Sequence, residues 1–231
     1  MSHGHWIVER EILGQAMSFN MDTLVTMWAA MAFLLIVSFV ATRKLSIFPT
    51  KIQLVFEKIL DYFDGLVSGM IHEGGRKHFP LVASLFLFIV TANLMGQLPL
   101  KVFELKQGEI ASPTNDINLT AGLAIIVLVY YVIAGVIKKK HKFLLHEVSV
   151  VGIISMLIEL LELVTRPLTL ALRLFGNILA GEILITALLG LCAWGLPLPI
   201  MFFEILVACV QALVFTMLTT VYIATAVNEN H

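Results

Sequence analysis

The sequence predicts an all-α, polytopic membrane protein with about five transmembrane helices and one interfacial amphipathic helix, the last two spans forming a long inclined hairpin. Three observations lead there. The chain is 59% hydrophobic and only 13% charged, with a mean hydropathy of +0.94, whereas soluble domains average roughly 45–50% apolar and about 25% charged. Its basic residues gather in clusters between long apolar runs. One arginine, Arg173, is set deep inside such a run. A cation at that depth costs roughly a few kcal/mol, and a guanidinium cannot escape by giving up its proton. It therefore needs an anionic partner or water, and it marks a functional site. Residues 1–231 read as a single integral membrane domain.

Residues 1–20 read as an external N-terminus carrying Glu9, Arg10 and Glu11. They lack a basic n-region and a cleavage site, which reads as mature sequence. His3 and His5 could bind a metal, but two lone histidines on a terminus usually bind nothing. Residues 24–41 are long enough to span the hydrocarbon core and end at Arg43 and Lys44. In residues 49–71, Ile52, Val55, Phe56, Ile59, Leu60, Phe63, Leu66 and Val67 recur at helical spacing. Lys51, Glu57, Lys58, Asp61 and Asp64 fall largely elsewhere. That pattern predicts a helix lying in the membrane interface.

Residues 81–98 form a second span, entered after Arg76 and Lys77 and ended by Pro99. A polar stretch, 101–118, carries Gly108, Pro113 and Asn115 as turn residues. The third span, 119–137, is stopped by the basic run 138–142. The glycosylation sequon at 118–120 falls on a span boundary and reads as a chance match. The clusters at 43–44, 76–77 and 138–142 must share one side, which the positive-inside rule makes the cytoplasm. The N-terminus and the 101–118 loop, with Glu104, Glu109 and Asp116, then lie outside, and the C-terminus is cytoplasmic.

Residues 148–192 are apolar without a clear break. As one helix they would run about 67 Å, roughly twice a perpendicular span. Two spans folded near Pro167 are the other possibility, but the only loop signal there is the proline itself. One inclined helix, kinked or straight at Pro167, is preferred. Gly195, Pro197 and Pro199 make the turn, and 200–226 returns as the last span, so 148–227 reads as one helical hairpin. Cys192 and Cys209 lie in apolar runs without a C-x-x-C pattern and read as small core residues.

At 100° per residue, Glu159, Glu162, Arg166, Arg173 and Asn177 fall within about 60° of one another, and Glu182 points about 180° from Arg173. Two polar faces at two depths suit two separate aqueous access routes. On the last helix Glu204 and Gln211 are seven residues apart and share a face. Folding the hairpin about residues 192–194 brings Glu182 level with Glu204 and Arg173 level with Gln211. Neighbouring buried carboxylates repel as anions, so such a pair can hold a proton near neutral pH.

These segments carry a close resemblance. Residues 172–177 (Leu-Arg-Leu-Phe-Gly-Asn), 180–182 (Ala-Gly-Glu), 211–215 (Gln-Ala-Leu-Val-Phe) and 218–222 (Leu-Thr-Thr-Val-Tyr) resemble subunit a of F-type ATP synthases. So do 93–99 (Asn-Leu-Met-Gly-Gln-Leu-Pro) and 113–118 (Pro-Thr-Asn-Asp-Ile-Asn). The resemblance covers nearly the whole chain from Met21 onward. It implies an ion-translocating stator, lying against a ring of small hairpin subunits with ion-binding carboxylates, and held by peripheral-stalk subunit b. With no transit segment visible, a bacterial plasma membrane is the expected location, and an organelle-encoded chain would look similar. It carries the family's essential arginine onto Arg173, its asparagine onto Asn177 and its last-helix glutamine onto Gln211. Glu182 matches the outer-route carboxylate, Glu159 the acid of the inner route, with Glu162 a second, and Asn93 a polar residue of the outer route. The chain departs from some relatives at Glu204, where a histidine can stand, and at Gly96, where an acid can stand.

The ion would be H⁺ or Na⁺. No cofactor, no bound metal and no nucleic-acid partner is expected. With no P-loop or phosphate-binding glycine pattern, nucleotide chemistry would belong to partners and the chain would not itself be an enzyme. An ion-coupled secondary transporter is the alternative, but it predicts two similar halves with paired broken helices, and no internal repeat is visible. An intramembrane hydrolase would need a nucleophile and base. None of the seven histidines lies in the polar stripe, and there is no H-E-x-x-H.

Overall fold

A computed structural model describes residues 7–12, 15–43, 50–71, 74–97, 112–139, 150–191 and 197–228. The chain is nearly all helical, and among the described residues five helices are long and apolar enough to cross a membrane. One element lies outside the sequence expectation. Strand β1 (Ile7–Ile12) pairs antiparallel with β2 (Gln15–Asn20), Ile7 opposite Asn20 and Ile12 opposite Gln15. The consecutive charges Glu9, Arg10 and Glu11 erase the period-two alternation that announces a strand.

Helix α1 (Met21–Thr42) is an apolar rod that buries Thr26, Ala30 and Ala41. Trp28, Phe33, Leu35, Ile36 and Phe39 point outward from it, as befits a span facing lipid. Helix α2 (Lys51–Met70) is capped by Thr50, whose hydroxyl accepts the Gln53 N–H at 3.4 Å. It is amphipathic, as expected. Phe63 and Val67 are buried, and the Phe63 ring meets Phe86 of the next helix at 4.6 Å. Its charged residues Lys51, Glu57, Lys58 and Asp61 stay exposed. A turn containing Gly74 at φ +78°, a conformation that favours glycine, leads through a single 3-10 turn into α3 (Phe79–Gln97).

A second 3-10 turn, Pro113–Asn115, precedes α4 (Ile117–Lys139). Helix α5 (Val150–Leu191) is a single helix of 42 residues with Pro167 inside it, about 63 Å long. The long-helix alternative is therefore the one the structure adopts. A proline forfeits one backbone hydrogen bond, but it does not end the helix in this apolar setting. Helix α6 (Pro197–Val227) runs back. Helix α3 packs along α6 and α1, and α4 along α5 and α6. Their shared core includes Val82, Ile89, Val127, Leu170, Leu174, Phe215 and Ile223.

Links at the two ends of the bundle match the alternating directions of the helices. Where α1 and α4 begin, Asn20 Nδ2 and Thr23 Oγ1 both donate to Asp116 Oδ2, at 2.9 and 3.1 Å. At the opposite end, Asn228 Nδ2 donates to the Met70 carbonyl at 2.9 Å, joining the ends of α6 and α2.

Candidate functional site

Polar side chains gather at three levels along α5, some buried in the bundle and some on its outer surface. Near the end where α4 begins, Glu182 Oε2 accepts a 2.6 Å hydrogen bond from Asn115 Nδ2 in the second 3-10 turn. Glu204, on α6, is buried, and its carboxylate rests directly on Gly181. A Cβ at Gly181 would lie 2.8 Å from Glu204 Cδ and closer still to Oε1. Asn93, fully buried on α3, donates to the Ala208 carbonyl at 3.2 Å, and its own Oδ1 has no hydrogen-bond partner among the described residues. Ser112 and Thr114, both buried, share a 2.9 Å hydroxyl contact. Ser112 occupies the space over Gly96, where any Cβ would strike its side chain. An acid at position 96 would thus displace Ser112, which gives the departure there a steric basis.

At the middle level Arg173 is exposed on the outer surface of α5, and Asn177, one turn on, is exposed as well. Asn177 Nδ2 nevertheless donates to Gln211 Oε1 at 2.7 Å. The buried Gln211 Nε2 has no partner among the described residues. The register expected from the turn put Arg173, not Asn177, opposite Gln211. The difference has a geometric cause. Helical side chains lean toward the N-terminus of their own helix. Asn177 therefore reaches away from the turn and Gln211 toward it, and they meet across a stagger of about one turn. Glu204 against Gly181, by contrast, falls within one residue of the level that the turn predicts for Glu204.

The third level lies toward the start of α5. Arg166 forms an ion pair with Glu162 one turn earlier. Its Nη1 donates to Thr225 Oγ1 at 3.2 Å, and its guanidinium carbon sits 5.1 Å over the Tyr222 ring. The side chain of Glu159 lies outside the described residues, as does Cys192, whereas Cys209 is half-buried on α6. His3 and His5 are also outside them. Among the described residues no three His, Cys, Asp or Glu side chains gather as a metal site would require.

Counting along α5, Glu182 is about 14 Å beyond Arg173 and Glu162 about 17 Å before it. Two carboxylate-bearing clusters thus flank a cation that faces outward. The surface beside it is unusual: Thr165, Thr169 and Ala180 are exposed, Gly176 is half-exposed, and nothing stands within 4 Å of where a Gly176 Cβ would be. Small residues let a second helix come close.

Sequence reasoning missed several partners. Asn115 read as a turn residue, and its bond to Glu182 spans 67 positions, beyond any local pattern. The Glu162–Arg166 pair was visible as an i, i+4 spacing. Tyr222 and Thr225, one turn apart on α6 at Arg166, gave no such signal. Among the described residues outside the spans, two groups are shifted from their ordinary values by their surroundings. Burial and the nearby Lys77 charge hold the His78 imidazole below its usual range, and its Nδ1 lies 3.0 Å from Tyr130 Oη. Burial works against ionisation of Asp116, but hydrogen bonds from Asn20, the Asn118 backbone and Thr23 outweigh it and hold this carboxyl below its usual value.

Comparison with known proteins comes to the same sequence segments. The family described as ATP synthase A chain matches residues 24–224. The chain is similar to ATP synthase subunit a of Gloeobacter violaceus, with 39% identity over 215 residues that cover 93% of this chain and 87% of that relative.

Proposed function

The chain belongs to the ATP synthase A chain family, and on that footing we propose that it is the ion-translocating stator of a rotary F-type ATP synthase. In this reading it offers two offset aqueous half-channels to a rotating ring, with Arg173 between them. The observation that carries the reading is the place of Arg173: an outward-facing cation between two carboxylate clusters on an otherwise apolar helix. Lipid cannot solvate it there. A partner's carboxylate can, and the small residues around it suit a closely approaching ring helix.

An ion enters from outside past Glu182, Glu204 and Asn93 and neutralises a carboxylate of the ring, which may then turn into lipid. After nearly a full rotation that carboxylate meets the inner route and releases its ion near Glu162 and Glu159. Arg173, with Asn177 and Gln211 beside it, favours the ionised ring carboxylate and bars direct passage. The ion is H⁺ in this scheme, and Na⁺ is the alternative. Each charge moved through 100 mV supplies about 2.3 kcal/mol, so one ATP needs several steps. Nucleotide chemistry lies with partner subunits. The further partners are the ring of small hairpin subunits, peripheral-stalk subunit b and the bilayer of a bacterial plasma membrane, with the N-terminus outside and the C-terminus cytoplasmic.

The test is Arg173→Ala in the assembled complex. ATP hydrolysis and assembly should persist while ATP-driven ion uptake into inverted vesicles and ATP synthesis are lost. Arg166 cannot substitute, because it is engaged by Glu162 and Thr225. Arg173→Lys should fail nearly as badly, since an ammonium lacks the planar fork. Substantial pumping by the alanine variant would overturn the proposal. A secondary transporter, by contrast, would not travel with a nucleotide-hydrolysing assembly on purification.

A further inference from the structure

Tyr131 of α4 is 4% exposed, and its hydroxyl has no hydrogen-bond partner among the described residues. Its ring lies 6.2 Å from that of Tyr222, the ring over which Arg166 sits. Arg166 in turn pairs with Glu162 and donates to the exposed Thr225, so α4, α5 and α6 link a phenol, a carboxylate, a guanidinium and a hydroxyl through the Tyr222 ring. A buried hydroxyl left unpaired is costly, and proteins relieve such groups with internal waters that make about three hydrogen bonds. A surface cleft lined by Met70, Val221, Ala224, Thr225 and Asn228 reaches Thr225, at the solvent side of this group.

We propose that Tyr131, Glu162, Arg166 and Thr225 hold a water that forms part of the inner route between Glu162 and solvent, with the buried Tyr131 as the positioning residue. The inference rests on the stator reading above. The phenol donates to the water and keeps its own proton throughout. A proton that reaches Glu162 passes to this water, which hands one on to the next water toward solvent and returns to its neutral form. Arg166 fixes the carboxylate's orientation so that one oxygen is left to the water.

Two measurements test it. In the wild-type complex, hydroxyl-radical footprinting marks side chains beside bound water. Tyr131 should be labelled at a rate nearer that of Tyr62, which is 48% exposed, than that of Phe215, which is 1% exposed. In vesicles, Tyr131→Phe removes one oxygen and no packing volume. It should slow ATP-driven proton uptake per assembled complex about fivefold, as loss of one hydrogen bond to the relay implies. The H₂O/D₂O rate ratio should rise with it, which a purely structural role would not produce. A Tyr131 as inert as Phe215, or a phenylalanine variant with unchanged flux, overturns the water site. Arg173→Ala is run alongside: if it still pumps, the stator reading falls and this inference with it, whereas a dead Arg173→Ala beside a normal Tyr131→Phe rejects the water site alone.

Discussion

At Gly181 the absence of a Cβ lets the Glu204 carboxylate lie against the backbone of α5. Gly181→Ala must push that carboxylate aside. Overpacking of this kind costs roughly 1–3 kcal/mol, so ATP-driven uptake per assembled complex should fall by about tenfold. Adding Glu204→Asp, which shortens the side chain by one methylene, should restore part of the loss. A double variant no better than Gly181→Ala alone would show that the carboxylate is not the obstacle. Glu182 is held differently, by Asn115. Replacing either Glu182 or Glu204 with Gln should slow uptake while leaving some, because the survivor still exchanges protons with water. Replacing both should cost more than the sum, as coupled sites are non-additive. Strict additivity in vesicle uptake would mean that the two act independently.

Asp116 works at the scale of elements. It accepts from Asn20 and Thr23 at the head of α1 and from the Asn118 N–H of α4 at 2.8 Å, capping the second helix while tying it to the first. Its carboxyl is held below its usual value. The stabilisation is therefore fully present above the unfolded value of about 4 and is lost as pH falls through the lower folded value. In thermal unfolding of the purified complex, Asp116→Ala should cost about 1 kcal/mol near neutral pH, as loss of a helix cap does. That gap should close in acid, and a gap independent of pH would contradict the role. The element scale also marks how far sequence could reach. The five spans were legible because apolar length and flanking charge are local. Helix periodicity alone could not decide between one helix and two around Pro167, because a proline is compatible with both. The β1–β2 hairpin was hidden by its charged run. The Asn177–Gln211 bond lies one turn from the Arg173–Gln211 level that the turn suggested, because side-chain lean is not visible in a count of residues. Tyr131 looked like any aromatic in a span, and only the packing of α4 against α5 and α6 sets it beside Arg166.

At the scale of the whole molecule, the described helices set two carboxylate clusters apart along α5 with Arg173 between them. Sequence already placed Arg173, Glu182 and Glu162 on different faces or depths of that helix, since both follow from spacing. The central claim is that Arg173 is the barrier between two routes, and passive proton conduction tests it most directly. Vesicles stripped of the nucleotide-hydrolysing sector are given an imposed pH gradient and a potassium diffusion potential, with wild-type or Arg173→Ala chains present at equal levels. The expected result is a faster proton leak through the alanine variant than through wild type, although that variant supports no ATP-driven uptake. A leak no greater than wild type, in a variant that still pumps when the hydrolysing sector is restored, would contradict the assignment of Arg173 as the barrier.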